Sequence, residues 1–264
     1  MLDISSRYHP LFEAHGLVSV EAITSWFAPP MPHAKTGVFL QPKTLAAPGH
    51  TPVAVYYKQY EYAQPAWKFI GRASKAQCEA ENYRVFERLR VPCTEPLAWG
   101  ETRDALGRLQ RAFIITREIP QALTLVEFVA RHCPRGAGGE APALRRSLRR
   151  QLVQGAQRLH RAGFFHHDFV WRNLLVTRES GEEPKLWWID CPRGREHRWS
   201  ARRALWQDLA SLDKSAAKFC RAPERLAFVR EYLGEARLSP SAKLLIRQVT
   251  AYRKKKWPSD WPGR

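Results

Sequence analysis

The segment at residues 166–173, HHDFVWRN, places a carboxylate and a carboxamide at a fixed interval. It fits the pattern H-x-D-x-x-x-x-N, in which His166, Asp168 and Asn173 are the fixed positions. In phosphoryl transfer, this interval lets one short loop hold an Asp against the attacking hydroxyl and an Asn against a magnesium ion. Further along, residues 187–190, WWID, predict a hydrophobic strand ending at Asp190, where a second metal ligand would have to arrive. The two motifs together indicate phosphoryl transfer, whereas the loop pattern alone fits a plain polar loop equally well.

The sequence on either side of this loop predicts the elements that would position it. Before the loop, apolar residues at helical spacing between residues 148 and 159 predict an amphipathic helix with a basic outer face, which Gly163 ends. After the loop, residues 174–177 and 185–189 predict two short strands, joined by a turn at residues 179–182. Helix, loop, hairpin and terminal Asp is the order of parts in the C-lobe of a kinase.

A lysine and a glutamate upstream are candidates for a phosphate-binding pair. Residues 53–60, VAVYYKQY, predict a strand that carries Lys58. A kinase needs such a lysine and a glutamate that holds its ammonium against the α- and β-phosphates. Glu79 and Glu81 lie in a predicted helix that Ser74 could cap. The alternative is that Lys58 is a surface residue with its stem over an aromatic ring, and that either glutamate is ordinary helix surface.

The next apolar strand ends at a candidate adenine site. Residues 112–116, AFIIT, predict a buried strand that continues into Glu118 and Ile119. In a kinase, this would be the hinge between the lobes, whose backbone groups pair with adenine; the alternative is a strand end and a loop. Residues 38–40 predict a strand, and residues 42–52 predict a loop that cannot belong to a central strand, because proline cannot donate to a sheet. G-x-G-x-x-G is missing, so the contacts of a phosphate-covering hairpin cannot be named.

Charge and composition limit the partners. The chain of 264 residues has 43 Lys and Arg against 25 Asp and Glu, a net charge of +18 that should attract an anionic membrane, a phosphorylated substrate or nucleic acid. It has no zinc-ligand pairs and no aromatic RNA-binding strand, so nucleic acid is not expected. It has neither a signal peptide nor an apolar run of ~20 residues, so we expect it to stay in the cytoplasm. Its five cysteines are widely spaced, which predicts reduced thiols.

Taken in order, these motifs resemble the lipopolysaccharide core kinase family, the bacterial Kdo and heptose kinases. The resemblance covers roughly residues 37–215 and is most specific at residues 53–60, 74–101, 166–173 and 188–194. It implies an α+β, two-lobed protein-kinase-like fold, with a small antiparallel-sheet N-lobe and a mainly helical C-lobe. The expected organisation is an N-terminal extension at residues 1–36, an N-lobe at residues 37–119 and a C-lobe at residues 120–264.

The same resemblance implies ATP and Mg²⁺ as cofactors and assigns roles to individual residues. Carried over by position, Asp168 orients or deprotonates a sugar hydroxyl, Asn173 and Asp190 hold magnesium, Lys58 with Glu79 binds phosphates, Glu118 and Ile119 face adenine, and His166 braces the loop. Two positions depart from protein kinases. Val170 stands where they have a lysine facing the γ-phosphate, so Arg172, His167 or a second metal would have to offset that charge. Cys191-Pro192 replaces Phe-Gly after the metal-binding Asp, and the proline restrains Cys191 to extended conformations.

The function implied is an ATP-dependent kinase for a Kdo or heptose sugar of the lipopolysaccharide inner core. Its partners would be the lipopolysaccharide core or lipid A precursor and the anionic inner membrane, on whose cytoplasmic face it would lie as a peripheral protein. Only 74 residues follow Asp190, and they begin with a basic segment, which favours a lipid-linked or small-molecule acceptor over a protein. Lys254, Lys255, Lys256 and Trp257 near the end could contact headgroups or be a solvated tail. Two alternatives are another small-molecule phosphotransferase, similar to the aminoglycoside phosphotransferases, and a pseudokinase scaffold.

Overall fold

A computed structural model of the chain describes residues 1–28, 38–62, 64, 66–197 and 199–260. The chain divides into two compact units: Met1–Val85 with Thr94–Ile119, and Phe86–Cys93 with Pro120–Arg264. The boundary that the sequence suggests between residues 36 and 37 lies outside the described residues, and the three-part organisation stays a prediction.

The first unit contains an antiparallel sheet and three helices. In chain order, its described elements are β1 (Leu2–Ile4), α1 (His9–Ala14), α2 (Val20–Trp26), β2 (Val38–Leu45), β3 (Val53–Glu61), α3 (Lys75–Arg88), β4 (Pro96–Arg103) and β5 (Leu109–Arg117). The strand order across the sheet is β1-β4-β5-β3-β2, and all pairings are antiparallel. Gln77 donates its backbone N–H to the Ser74 hydroxyl, 3.2 Å away, so the expected cap of α3 is present.

The described N-terminal residues, 1–28, pack into the core of this unit. β1 pairs with β4, and α1 and α2 bury their apolar side chains against one face of the sheet. The rings of Phe27 and Tyr57 stack with their centroids 4.5 Å apart. The buried residues come from both layers: Leu11, Phe12, Ile23 and Phe27 from the helices, and Val55, Tyr57, Phe113 and Ile115 from the sheet.

Strand β2 runs further than the sequence suggested. The loop expected to begin at Pro42 begins only after Leu45, because Pro42 lies inside the strand opposite Tyr56. β2 is an edge strand of the sheet, so the missing N–H of proline can be directed away from the only neighbouring strand. A proline therefore excludes a central strand here but not an edge strand.

The second unit is mainly helical. In chain order, the described strands and α-helices from residue 120 onwards are β6 (Leu123–Thr124), α4 (Leu125–His132), α5 (Ala141–Arg161), β7 (Phe164–Phe165), β8 (Leu174–Thr177), β9 (Lys185–Trp188), β10 (Arg195–Glu196), α6 (Ala201–Phe219), α7 (Ala222–Leu233) and α8 (Pro240–Lys256). The predicted helix before the loop is α5, and the predicted hairpin is the antiparallel pair β8–β9. Within the described parts of the chain, we find no helix long and apolar enough to cross a bilayer.

A close contact between Gly155 and Trp188 fixes α5 against β9. A Cβ atom at Gly155 would lie 2.7 Å from Cζ2 of Trp188, whose side chain is fully buried. We therefore expect Gly155→Ala to destabilise the protein by about 1–3 kcal/mol through overpacking, although alanine favours helices. The measurement is the free energy of unfolding in urea. The control is Gln154→Ala at the exposed neighbouring position of α5, which should be neutral or slightly stabilising, and equal effects of the two changes would contradict the prediction.

Candidate active site

In the first unit, Lys58 and Glu79 form a partly buried ion pair. The alternation of β3 puts Val55 and Tyr57 in the core and Lys58 on the opposite face. The Lys58 ammonium donates to both carboxylate oxygens of Glu79, at 3.0 and 3.2 Å. Glu79 is 2% exposed, whereas Glu81 is exposed and bonds to a neighbour on its own helix. The structure therefore pairs Lys58 with Glu79.

Two tyrosines complete the setting of the Glu79 carboxylate. The hydroxyl groups of Tyr60 and Tyr83 both donate to it, the second at 2.9 Å. Lys58 also lies 5.0 Å from the centre of the Tyr60 ring. A buried carboxylate needs several donors, and here a cation and two hydroxyl groups supply them. The Glu79 carboxylate thus fixes the position of the Lys58 ammonium, and the two tyrosine hydroxyl groups fix the carboxylate.

The strand end proposed as a hinge has a defined hydrogen-bond pattern. The backbone N–H of Glu118 donates to the carbonyl of Ala54 at 2.8 Å. The carbonyl of the preceding residue, Arg117, accepts from the Thr94 hydroxyl at 2.5 Å. Within the described chain, neither the Glu118 carbonyl nor the Ile119 N–H has a hydrogen-bond partner, so these two backbone groups are available to a ligand.

In the second unit, the loop at residues 166–173 brings Asp168 and Asn173 together through the backbone. The side-chain amide of Asn173 donates to the carbonyl of Asp168 at 2.9 Å. This bond directs the carbonyl oxygen of the Asn173 side chain away from the loop backbone. The carboxylate of Asp168 remains about one-third exposed and pairs with Arg172 at 3.3 Å. Arg172, one of the groups that could offset the missing lysine at Val170, therefore contacts the candidate catalytic carboxylate itself.

The β8–β9 hairpin places Asp190 beside Asn173. Ile189 donates its backbone N–H to the carbonyl of Asn173 at 3.0 Å, which extends the hairpin by one bond. Asp190 follows with a left-handed backbone, at φ +56°. A carboxylate and a carboxamide oxygen from adjacent strand ends are hard oxygen donors of the kind that Mg²⁺ prefers. The donor set therefore fits a magnesium ion.

His166 is fixed by aromatic packing. Its ring is stacked between Phe86 and Phe169, with both centroid distances at 6.1 Å, and Phe169 stacks on Trp188 at 4.6 Å. Its two ring nitrogens are buried and have no hydrogen-bond partner in the described part of the chain. His166 therefore supports the loop by aromatic stacking and not by hydrogen bonds.

Asp208 anchors the backbone of the loop, a role that the sequence did not suggest. This residue of α6 is fully buried, and its two carboxylate oxygens accept the backbone N–H groups of His166 and His167 at 2.7 and 2.8 Å. The ring of His160 contacts it at 3.3 Å and bonds to the Tyr232 hydroxyl on its other side. Burial alone would raise the pKa of Asp208, but these hydrogen bonds and the nearby histidine charges hold it below its usual value. Asp208 therefore stays ionised and keeps the residues before Asp168 in place.

A contact between two histidine rings links the loop to the segment that follows Asp190. Nε2 of His167 lies 2.6 Å from Nε2 of His197, and Nδ1 of His197 lies 2.6 Å from the Ser200 hydroxyl. His167 has a left-handed backbone, at φ +62°, which turns its side chain towards His197. Burial lowers the pKa of both histidines, so the pair is neutral at pH 7, with one ring nitrogen donating to the other.

Asp208 could have been found from the spacing of α6. Ala204, Asp208 and Leu212 recur at intervals of four, so an aspartate falls on the apolar stripe of the helix. A carboxylate at a core position must find donors, which marks it as a candidate anchor. Tyr60 and Tyr83 gave no such signal, because buried tyrosines are common in cores of every kind.

Solved structures similar to this chain confirm the predicted kinase-like fold. "WaaP in complex with acyl carrier protein" matches with 20% sequence identity and a TM-score of 0.68, covering 99% of both chains. The Rio2 kinase from Chaetomium thermophilum, in an ADP, Mg²⁺ and phosphoaspartate complex, matches with 13% identity and a TM-score of 0.50, covering 92% of this chain and 76% of that one. At these identities, the likeness concerns the fold.

Among curated proteins, no sequence matches the chain significantly. The profile of the lipopolysaccharide kinase (Kdo/WaaP) family matches residues 63–232, which is more than half of the chain and extends from before α3 into α7. This match confirms the family that the motifs resembled and the predicted class of enzyme, a phosphotransferase that uses ATP. The chain belongs to the lipopolysaccharide kinase (Kdo/WaaP) family.

Proposed function

We propose that this protein transfers the γ-phosphate of ATP to a hydroxyl of a Kdo or heptose sugar in the lipopolysaccharide inner core. The observation that carries the proposal is the arrangement of Asp168, Asn173 and Asp190 around one loop and hairpin, in a chain of a lipopolysaccharide kinase family. A carboxylate for the hydroxyl and two oxygen donors for a metal are the groups that phosphoryl transfer needs.

Each residue has a distinct part in this proposal. Asp168 accepts a hydrogen bond from the sugar hydroxyl and takes its proton as the new bond to phosphorus forms. Asn173 and Asp190 would hold Mg²⁺, which would neutralise charge on the phosphates. Lys58 contacts the α- and β-phosphates from its position on Glu79. The Glu118 carbonyl and the Ile119 N–H face adenine.

The test is phosphate transfer from labelled ATP to purified core acceptor. Wild-type protein should label the acceptor and leave an aminoglycoside panel unlabelled. Mass spectrometry of core oligosaccharide from cells with and without the gene should then show one phosphate gained on an assigned sugar, which decides between Kdo and heptose. Labelled aminoglycosides would favour the small-molecule alternative, and nucleotide binding without any transfer would favour the pseudokinase.

Replacement of Lys58 should weaken nucleotide binding while leaving the fold intact. Lys58→Met removes the ammonium, but Glu79 keeps its hydrogen bonds from Tyr60 and Tyr83. Loss of one charge-assisted contact of about 1.5–3 kcal/mol predicts a rise of roughly 10–100-fold in the Kd for ATP. Calorimetric titration measures it, with Lys68→Met, at an exposed position of the same unit, as the control. An unchanged Kd for Lys58→Met would remove this lysine from the nucleotide site.

We further propose that the protein works at the anionic cytoplasmic face of the inner membrane. Lys254, Lys255 and Lys256 are exposed at the end of α8, and Lys214 lies 4.7 Å from the ring of Trp257 beside them. Each basic residue near an anionic surface is worth about 1 kcal/mol. Three exposed lysines next to an indole thus support peripheral binding.

A cavity in the second unit supports an acyl carrier protein as a further partner. Apolar side chains from α4 to α8 line a space of about 510 Å³, within the range of about 300–1,000 Å³ that is typical of ligand pockets. It includes Leu152, Leu212, Phe228 and Val249. The solved WaaP structure contains an acyl carrier protein, and an acyl chain has the chemistry that such a cavity accepts. We propose that the cavity takes the acyl chain of this partner.

Filling the cavity should prevent this binding. Val249→Trp places a large ring into the cavity from α8, whereas Leu244→Trp changes an exposed residue of the same helix that does not line it. Native mass spectrometry with acylated and unacylated acyl carrier protein gives the comparison. We expect the wild type and Leu244→Trp to bind the acylated form, and Val249→Trp to bind it at least tenfold more weakly. Equal binding of the unacylated form would show that the cavity is not involved.

A further inference from the structure

Residues 193–197 and 199–203, which we call the arginine segment, contain three exposed arginines that have no acidic partner among the described residues. Arg193, Arg202 and Arg203 are exposed, and none of them forms an ion pair in the described part of the chain. The single acidic residue of the segment, Glu196, lies 3.9 Å from Arg88 instead. On α5, three of the six arginines are each paired with a glutamate: Arg145 with Glu224, Arg149 with Glu231 and Arg150 with Glu183.

The segment also carries a tryptophan that is wholly exposed to solvent. Trp199 is 100% exposed, the highest value among the large apolar side chains described. Three residues further along the chain, the guanidinium of Arg202 lies 5.3 Å from the centre of the Trp206 ring. Exposing the large apolar surface of an indole to water is unfavourable. A fully exposed tryptophan therefore more often marks an interaction surface than a residue required for folding. A protein surface that presents both arginine and tryptophan side chains is suited to a binding partner that is anionic and partly apolar.

Folding does not account for these charges. Arg202 and Arg203 lie in the first turn of α6, where the positive end of the helix dipole disfavours cations, and this turn has no acidic residue. The Ser200 side chain does not cap the helix, because its hydroxyl bonds to His197. These two arginines therefore oppose the stability of the helix that carries them. A bound anion would reverse that effect.

The arginine segment is tied directly to the catalytic loop. β10, which contains Arg195, pairs with β7, the strand that leads into the loop. The Arg195 guanidinium contacts Nε2 of His197 at 3.1 Å, and the same nitrogen contacts His167, the residue before Asp168. The segment is therefore connected to the residue before Asp168 through Arg195 and His197.

We propose that the arginine segment binds phosphate groups on the headgroup of the lipid-linked acceptor, with Trp199 set into the membrane interface beside them. Guanidinium groups match phosphate oxygens in a two-pronged geometry, and indole rings favour the boundary between water and lipid. The site would orient a phosphorylated glycolipid so that its sugar faces Asp168. This inference rests on the proposed function and adds the residues that select the acceptor.

The test compares Arg202→Gln/Arg203→Gln and Trp199→Ala with the wild type. The control is Arg146→Gln/Arg161→Gln, which removes the same charge from exposed positions of α5. Sedimentation measures binding to neutral phosphatidylcholine vesicles that contain purified core acceptor, dephosphorylated acceptor or phosphatidylglycerol at matched charge. Initial rates over a range of acceptor concentrations at saturating ATP give KM and kcat. Thermal unfolding checks that the exposed substitutions leave the fold unchanged.

We expect the double arginine variant to bind acceptor vesicles at least tenfold more weakly, with KM for the acceptor raised equally and KM for ATP unchanged. Trp199→Ala should bind acceptor vesicles severalfold more weakly than the wild type. The Arg146→Gln/Arg161→Gln control should bind them within twofold of the wild type. Dephosphorylated acceptor should bind the wild type as weakly as phosphorylated acceptor binds the double variant. Undiminished binding by the double variant, or an equal loss on phosphatidylglycerol vesicles, would overturn the inference. If the variants lose binding but even the wild type transfers no phosphate, the proposed function fails and the arginine segment still stands as a binding site.

Discussion

Replacing Asp168 with alanine should lower phosphate transfer about 10³-fold, since a positioned general base contributes about 10²–10⁴-fold. The variant loses the group that accepts the proton of the attacking hydroxyl, while Asn173 and Asp190 keep their places in the hairpin. Binding of ATP should therefore be retained, and the loss should fall on kcat. Transfer of labelled phosphate and calorimetric titration with ATP measure the two quantities separately.

Two further variants make this result specific to the carboxylate. Asp168→Asn keeps the size of the side chain but cannot take a proton, so it should be as inactive as the alanine variant. Arg172→Gln removes the exposed partner of Asp168 and should have a much smaller effect, because a surface ion pair is worth about 0–1 kcal/mol. Transfer at the wild-type rate by either Asp168 variant would contradict the assignment.

Replacing Asp208 with asparagine should loosen the catalytic loop by about 2–3 kcal/mol, the penalty for a buried donor left unsatisfied. Its two carboxylate oxygens each accept a different backbone N–H, from His166 and His167. Asparagine has one acceptor oxygen, and its NH₂ group would face the other N–H donor. Hydrogen exchange at the two amides should rise by roughly 30–100-fold, and transfer should fall because Asp168 follows directly.

The control for Asp208→Asn is Asp168→Asn, which removes the same charge from the exposed side of the same loop. It should leave amide protection and the free energy of unfolding nearly unchanged, although it abolishes transfer. The two substitutions thus separate the positioning of the loop from its chemistry. Amide protection at His166 and His167 that is equal in the wild type and Asp208→Asn would refute the anchoring role.

The same carboxylate predicts a dependence of stability on pH. The pKa of Asp208 is lowered in the folded protein, below the value of about 3.9 of an unfolded chain. Its stabilising contribution is therefore complete above about pH 4–5 and is lost as the pH falls through the lower folded pKa. The difference in unfolding free energy between the wild type and Asp208→Asn should be constant from pH 7 to pH 5 and should shrink at lower pH. A difference that grows on acidification would have the wrong sign.

Local sequence was sufficient for the parts of the fold that are set by nearby residues. The β8–β9 hairpin follows from two apolar runs around a turn, and the strand of Lys58 follows from its β-branched and aromatic residues. The spacing of residues 166–173 was sufficient to propose this loop as the catalytic one. The interpretation of Glu79 over Glu81 needed the family resemblance, since periodicity left both open.

Contacts between distant residues account for what the sequence did not reveal. The apolar residues of the first 28 positions come in short runs, and their packing in the core depends on the sheet that they cover. Pro42 could be placed in a strand only once the edge position of β2 was known. The spacing of α6 marks Asp208 as a buried carboxylate, but the amides that it binds lie about 40 residues earlier, so no local pattern identifies its partners.

The strand order of the first unit has a consequence for synthesis of the protein. Leu2 in β1 pairs with Gly100 in β4, so the partner of the first strand is made ~100 residues later. At about 5–20 residues per second, β1, α1 and α2 wait roughly 5–20 s on the ribosome before their sheet exists. During that interval the apolar faces of α1 and α2, including Phe12 and Ile23, have no sheet to cover them. The growing chain thus exposes an apolar surface until β4 and β5 have been made, and aggregation competes with folding during that interval.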